Sequence, residues 1–277
     1  MSASPNGRSQ DPGRRSQLKR LLIRPGAIGD VIVSLPALEH LRADYTEVWT
    51  PGRTVPLIRF ADRVRSIAST GIELVGITES PAIHELAGFD EIVSWYGSNR
   101  PEFRDAVRHL PCTFHDAVPP FSDLHAVDYY LAQVGAPLGA VPRIDCPRTD
   151  GPYVAIHPFS GSPRKNWPLD RFMELAAGLN DDVRFCVGPD QEMRGAVYIP
   201  DLYDLAKWLA SARLYIGNDS GITHLAAAVG TPIIALFGPT DPSVWAPRGP
   251  QVCVLRNPDL PDVMRTVLKQ SRVRHRW

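Results

Sequence analysis

Three short stretches of this sequence combine residue types that do chemistry, and each falls where an apolar run gives way to a helical pattern. The first is Arg24-Pro25-Gly26-Ala27-Ile28-Gly29-Asp30. Gly26 and Gly29 let the backbone approach a ligand closely. Their spacing is not G-x-G-x-x-G, and the turn lacks the lysine of a Walker loop. It ends instead in a carboxylate, Asp30. Two readings stay open there: a first-turn acid matched to a helix dipole, or a working carboxylate at the mouth of a cleft. The second stretch runs from His157 to Pro168. Ser160, Gly161, Ser162, Arg164 and Lys165 supply hydroxyls, a glycine and two cations beyond a strand. That mixture suits a diphosphate, and an ordinary hydrophilic loop is the plainer reading. The third is Asn218-Asp219-Ser220-Gly221, whose free amides could hold a phosphate or sugar oxygen, or whose Asp219 and Ser220 could simply cap a helix. His224 lies one turn further on. Gly238-Pro239-Thr240-Asp241-Pro242 repeats the arrangement after the next strand, with Thr240 or Asp241 as a cap. No H-E-x-x-H, G-x-S-x-G or metal-binding D-x-D pattern occurs.

The elements that must position these residues alternate in type. Leu18 to Arg24 reads as a buried strand. Ile32, Leu35, Leu38 and Leu41 then recur on one helical face. Pro36 makes that helix either start near Ser34 or start at Asp30 and kink. Further strands are expected at 47–49, 66–68, 91–95 and 113–115. Four prolines punctuate 136–152, which reads as a linker. Alternation restarts beyond it, with strands at 153–157, 183–187, 214–217, 233–237 and 252–255 and helices at 169–179, 202–212 and 222–229. The chain closes on a basic helical pattern, 261–272. The expectation is therefore an α/β protein: a basic tail over 1–17, an N-terminal domain over 18–135, a linker, and a C-terminal domain over 153–277. Two such domains would face an interdomain cleft, where ligands bind beyond the carboxyl ends of parallel strands.

The totals exclude several classes. With 277 residues and 44% apolar content the chain can bury a real core. Thirty basic residues balance thirty acidic ones, so no nucleic-acid partner is expected. The charge is uneven along the chain. Arg8, Arg14, Arg15, Lys19 and Arg20 crowd the start, and Arg265, Lys269, Arg272, Arg274 and Arg276 the end. Contact with an anionic membrane surface is one reading of these ends, and solvated charge the other. The four cysteines, Cys112, Cys146, Cys186 and Cys253, are too scattered for a metal or disulfide framework, and Cys186 and Cys253 read as buried thiols. A reducing, cytoplasmic setting follows, with no secretory leader and no bilayer span expected.

Gly26–Leu38 (GAIGDVIVSLPAL), Ser162–Pro168 (SPRKNWP) and Asn218–Pro242 (NDSGITHLAAAVGTPIIALFGPTDP) occur in this order between about Leu18 and Arg256. Together they resemble glycosyltransferase family nine, the ADP-heptose–lipopolysaccharide heptosyltransferases. The resemblance implies a GT-B fold of two Rossmann-like domains. It makes Asp30 the general base on an acceptor hydroxyl, with Gly29 beside it. It assigns Lys165 to the donor diphosphate, Ser160 and Gly161 to neighbouring phosphate contacts, and Asp219, Ser220, Gly221 and His224 to the donor site. Glu192 matches a donor-ribose ligand. The implied reaction is inverting transfer of a heptose from ADP-heptose to a glycan or glycolipid acceptor such as lipopolysaccharide, with no metal or cofactor; the basic ends leave peripheral contact with the inner face of a membrane open. Between Gln191-Glu192 and Asp201-Leu202 the chain leaves room for hardly any helix, where the family has a helix and a strand. The N-terminal half is also compact. Transfer from another nucleotide sugar to a smaller acceptor, or a non-catalytic nucleotide-sugar or glycan-binding relative, are the alternatives.

Overall fold

A computed structural model describes residues 17–119, 124–149 and 151–274. Most of the basic tail, Met1 to Ser16, lies outside the described residues, as does Arg276. The strands are β1 (Lys19–Ile23), β2 (Tyr45–Thr50), β3 (Arg63–Ser66), β4 (Glu91–Ser94) and β5 (Cys112–Phe114), followed by β6 (Val154–His157), β7 (Val183–Phe185), β8 (Leu214–Asn218), β9 (Ile233–Phe237) and β10 (Val252–Arg256). The helices are α1 (Ile28–His40), α2 (Ala82–Leu86), α3 (Pro101–Ala106), α4 (Ala126–Gln133), α5 (Leu169–Gly178), α6 (Leu202–Ser211), α7 (Gly221–Ala228), α8 (Pro242–Trp245) and α9 (Leu260–Arg274).

These strands form two all-parallel sheets, in the orders β3-β2-β1-β4-β5 and β10-β9-β8-β6-β7. Parallel neighbours need a crossover between them, and the alternation of apolar runs with helical patterns supplies it. Both orders reverse direction once, between β1 and β4 in the first sheet and between β6 and β8 in the second. A doubly wound sheet opens a crevice at its reversal point, beyond the strands' carboxyl ends. The Gly-rich turn follows β1. The Ser160–Lys165 loop follows β6, and the Asn218–Gly221 turn follows β8. Topology thus delivers all three chemistry-bearing stretches to the two crevices. Two parallel α/β sets of the expected Rossmann type are present.

Alternating strand residues feed different cores. Leu21 and Ile23 pack with Trp49, Ile72 and Phe103 on one face of the first sheet. Leu22 points the other way, into a cluster that continues through α1 to Tyr215 and α7, so one core runs across both halves. The far face of the second sheet packs Val154, Ile156 and Ile216 against Phe172 of α5 and Val263 of α9. α1 begins at Ile28, earlier than either expected start, and continues through Pro36 to His40. The linker expected over 136–152 is pinned to the second half: Ile144 N–H donates to the Ala228 carbonyl at 3.0 Å. α4 is tied to the turn after α8, where Arg248 pairs with both oxygens of Asp128 and His125 Nε2 meets the Ala246 carbonyl at 2.8 Å. Cys186 is buried as expected, whereas Cys253 is only partly so.

Candidate active site

The turn after β1 makes Asp30 the third residue of α1. Gly26 has φ of +121°, and a Cβ there would lie 2.8 Å from the Asp30 Cβ, so only glycine fits. Asp30 Oδ2 accepts the Ala27 N–H at 2.8 Å. The carboxylate therefore closes its own helix start, and the capping role is real. It is not the whole of the residue's surroundings, because Asp30 also lines a cavity of about 900 Å³. Among the described residues no group bonds to its second carboxylate oxygen.

Across that cavity stands α7. Ser220 caps it, its Oγ accepting the Thr223 N–H at 3.3 Å. Gly221 is the first helical residue. A Cβ on Gly221 would lie 2.8 Å from the Ile28 Cβ and 2.9 Å from the Gly29 nitrogen; one on Gly29 would meet Gly221 Cα at 3.5 Å. Two helix starts, one from each sheet, thus meet nearly backbone to backbone, and their free amides and dipole ends converge on one space. Such a place favours an anion.

The loop after β6 completes that wall. Asn218 stitches it to β8: its Oδ1 accepts the Trp167 N–H at 2.8 Å, and its Nδ2 donates to the Pro158 carbonyl at 2.7 Å. This brings Lys165 Nζ to 2.8 Å from Asp219 Oδ2. Asp219 is 5% exposed and Lys165 35%, so the acid is committed to its partner while the ammonium still reaches the cavity. Ser160 Oγ lies 2.7 Å from the Ser162 carbonyl and from Asn166 Oδ1, shaping its own loop. His224 is buried, and burial above all holds its pKa down to about 4. The Asp219 carboxylate opposes that depression and His125 deepens it. At neutral pH the ring is uncharged.

Gly29, Asp30, Ser160, Gly161, Lys165, Asp219, Ser220, Gly221 and His224 all line the one cavity. Glu192 does not: it is exposed, and the lining residues at that corner are Asp190 and Gln191. The segment after β7 contains no helix and returns to the sheet edge only through a bridge between Cys186 and Val197. The sequence reading also missed Arg53, Tyr198 and Trp245, which line the cavity, and it gave Thr240 only a capping role. The Thr240 hydroxyl is buried and has no hydrogen-bond partner among the described residues; the α8 cap is Asp241. The Gly188-Pro189-Asp190 turn at the end of β7 was the available signal for that corner, since any strand end on this side faces the crevice. Among the described residues no three His, Cys, Asp or Glu side chains gather as a metal-ligand set, and no helix is long and apolar enough to cross a membrane.

Residues 136–272 match the family model described as glycosyltransferase family 9 (heptosyltransferase). Lipopolysaccharide heptosyltransferase 1 of Escherichia coli (strain RS218) is 29% identical over 141 residues, 45% of this chain and 43% of that protein. Lipooligosaccharide heptosyltransferase 2 of Haemophilus influenzae is 34% identical over 84 residues, 30% of this chain and 22% of that protein. The chain thus aligns with less than half the length of these curated relatives. The solved ADP-heptose lps heptosyltransferase II of E. coli superposes with a TM-score of 0.70 over 92% of this chain and 98% of that one, at 17% identity. A likeness at that identity speaks for the fold alone, and the fold is GT-B.

Proposed function

We propose that this chain, whose residues 136–272 match the glycosyltransferase family 9 model, transfers a heptose from ADP-heptose to a hydroxyl of a lipopolysaccharide-type glycan, with inversion and without a metal. One observation carries this reading. A free carboxylate oxygen on one half faces, across a single cavity, a helix start and a cation on the other half. Glycosyl transfer needs a base for the incoming hydroxyl on one side and a sink for the departing diphosphate on the other.

The strand order supports one layout of the donor. The nucleoside belongs at the β7 end, by Val187, Gly188 and Gln191. The diphosphate belongs at the centre, by Ser160, Gly161, Lys165 and the α7 amides. The sugar belongs toward β9, by Thr240 and Trp245. Asp30 then removes the acceptor proton as the hydroxyl attacks the anomeric carbon, and the tether from Ala27 holds the carboxylate in one orientation. An ammonium has three donors. Asp219 occupies one on Lys165, and the others are available to the diphosphate as its charge develops. Neutral His224 adds polarity to that wall without adding charge. Glu192, being exposed, has no part in this scheme, and Gln191 is the better candidate at the nucleoside.

The direct test is ADP release from ADP-heptose, compared with ADP-, GDP- and UDP-hexoses, in excess EDTA and again with added Mg²⁺ or Mn²⁺. Turnover of ADP-heptose that survives chelation supports the proposal. Activity lost on chelation and restored by metal sinks the metal-free mechanism, and preference for another donor sinks the heptose assignment. Contact with an anionic membrane rests on the basic ends, of which Arg265, Lys269, Arg272 and Arg274 lie on α9. Flotation with anionic but not neutral vesicles at low salt tests it.

A further inference from the structure

Arg24 is fully buried, and no step above uses it. A buried guanidinium normally answers a carboxylate; the half-buried Arg20, four residues earlier, does so with Glu91. Among the described residues no carboxylate bonds to Arg24. Its donors go elsewhere. Nη1 donates to the Pro25 carbonyl at 2.8 Å, Nη2 to the Asp30 carbonyl at 2.9 Å, and Nε to Ser34 Oγ at 2.9 Å. Nη1 also reaches the Ala117 carbonyl at 3.4 Å. The guanidinium lies over the Tyr130 ring at 4.6 Å, and the Tyr130 hydroxyl donates to that same Ala117 carbonyl at 2.8 Å.

These acceptors have one thing in common. Pro25 and Asp30 bracket the Gly-rich turn, Ser34 sits one turn up the same helix, and Ala117 precedes Val118, which lines the cavity beside Asp30. The planar fork thus spans the two ends of the turn and ties them to the neighbouring cavity wall. We propose that Arg24 is a positioning residue for Asp30: it fixes the turn so that the carboxylate's free oxygen is held on the line of proton transfer, and it adds a buried positive charge behind that carboxylate. The inference rests on the reading of Asp30 as the base. A lysine cannot replace the fork, because it would present its donors from one point and could not bracket both carbonyls. Small displacements of a catalytic group are costly, about 10²-fold for 1 Å.

The test is a double-mutant cycle on ADP release from ADP-heptose, with ADP affinity measured by calorimetry. Arg24→Lys is expected to lower kcat about 10- to 100-fold and to leave the ADP dissociation constant within about threefold, since the donor wall lies on the other half. In an Asp30→Asn background the same change is expected to cost nothing further, because there is no base left to position. Ser34→Ala removes one acceptor of Arg24 and keeps its charge. It is expected to give a smaller loss of the same kind, and it carries the cycle should Arg24→Lys fail to fold. Wild-type kcat in Arg24→Lys overturns the proposal, as does an equal loss with and without Asp30, which marks Arg24 as structural. If Asp30→Asn alone keeps its turnover, the base assignment falls first, and that outcome is separately visible in the single mutant.

Discussion

The turns that open α1 and α7 are built alike and charged differently. Each follows a strand at a sheet's reversal point, each places an acid within a few residues of a helix start, and each uses a glycine at the contact between them. Asp30 shares one oxygen with an amide and keeps the other free, on the rim of the cavity. Asp219 is buried and bound to Lys165. The same carboxylate is thus open to the cavity in one turn, as the proposed base must be, and a fixed counter-charge in the other. The difference comes from whether a cation reaches it, not from the turn. In the second turn the acid serves to hold the ammonium where a diphosphate would lie.

Removing the free carboxylate should have the largest effect. Asp30→Asn keeps the shape of the turn and should lower turnover on the order of 10²–10⁴-fold with ADP affinity near wild type; survival within tenfold would leave Asp30 as a helix cap only. Lys165→Ala should come next, because it attacks the other side of the comparison twice. It removes the diphosphate's cation and strands a buried acid, so kcat and donor affinity should fall together and the melting temperature should fall as well. Unchanged donor affinity would refute the role of Lys165. Gly221→Ala tests the contact itself. Its new methyl would press on Ile28 and the Gly29 nitrogen, and overpacking of this kind costs about 1–3 kcal/mol, readable by denaturant titration. The smallest effect concerns His224. Unfolded, it takes up a proton near its ordinary 6.5, and folded only near 4. The unfolded chain therefore binds more protons in that window, and stability should fall as pH drops from 6.5 toward 4. His224→Gln should flatten that slope; an unaltered acid profile would show that other groups set it.

Much of this was legible in residue types and spacing. Each expected strand overlaps an observed one, though the strand expected at 66–68 does so only at Ser66, the last residue of β3; apolar runs mark buried parallel strands because these tolerate little else. The three loops that ended those strands proved to share one cavity. What escaped had physical reasons. α1 starts before Asp30 because its cap is an alanine whose N–H is satisfied by a side chain three residues later, a signature that reads as no cap at all. The short helices α2 and α3 carry too few turns to show a period. Glu192 falls outside the cavity lining, in a segment after β7 that contains no helix to fix its direction. Arg24 looked like the end of a strand, and nothing local distinguishes a solvated arginine from one folded back over its own turn.

The contact between Gly29 and Gly221 has a consequence for how such a chain changes over generations. Gly221 cannot take on a side chain without displacing Ile28 and the Gly29 backbone, whereas a Cβ on Gly29 would meet Gly221 at ordinary contact distance. The constraint is one-sided: although the two sites lie far apart in the gene, what the first can carry depends on the second staying glycine. Variants of this chain that function should therefore keep glycine at 221 while position 29 accepts a small side chain, and a library randomised at both should return that asymmetry.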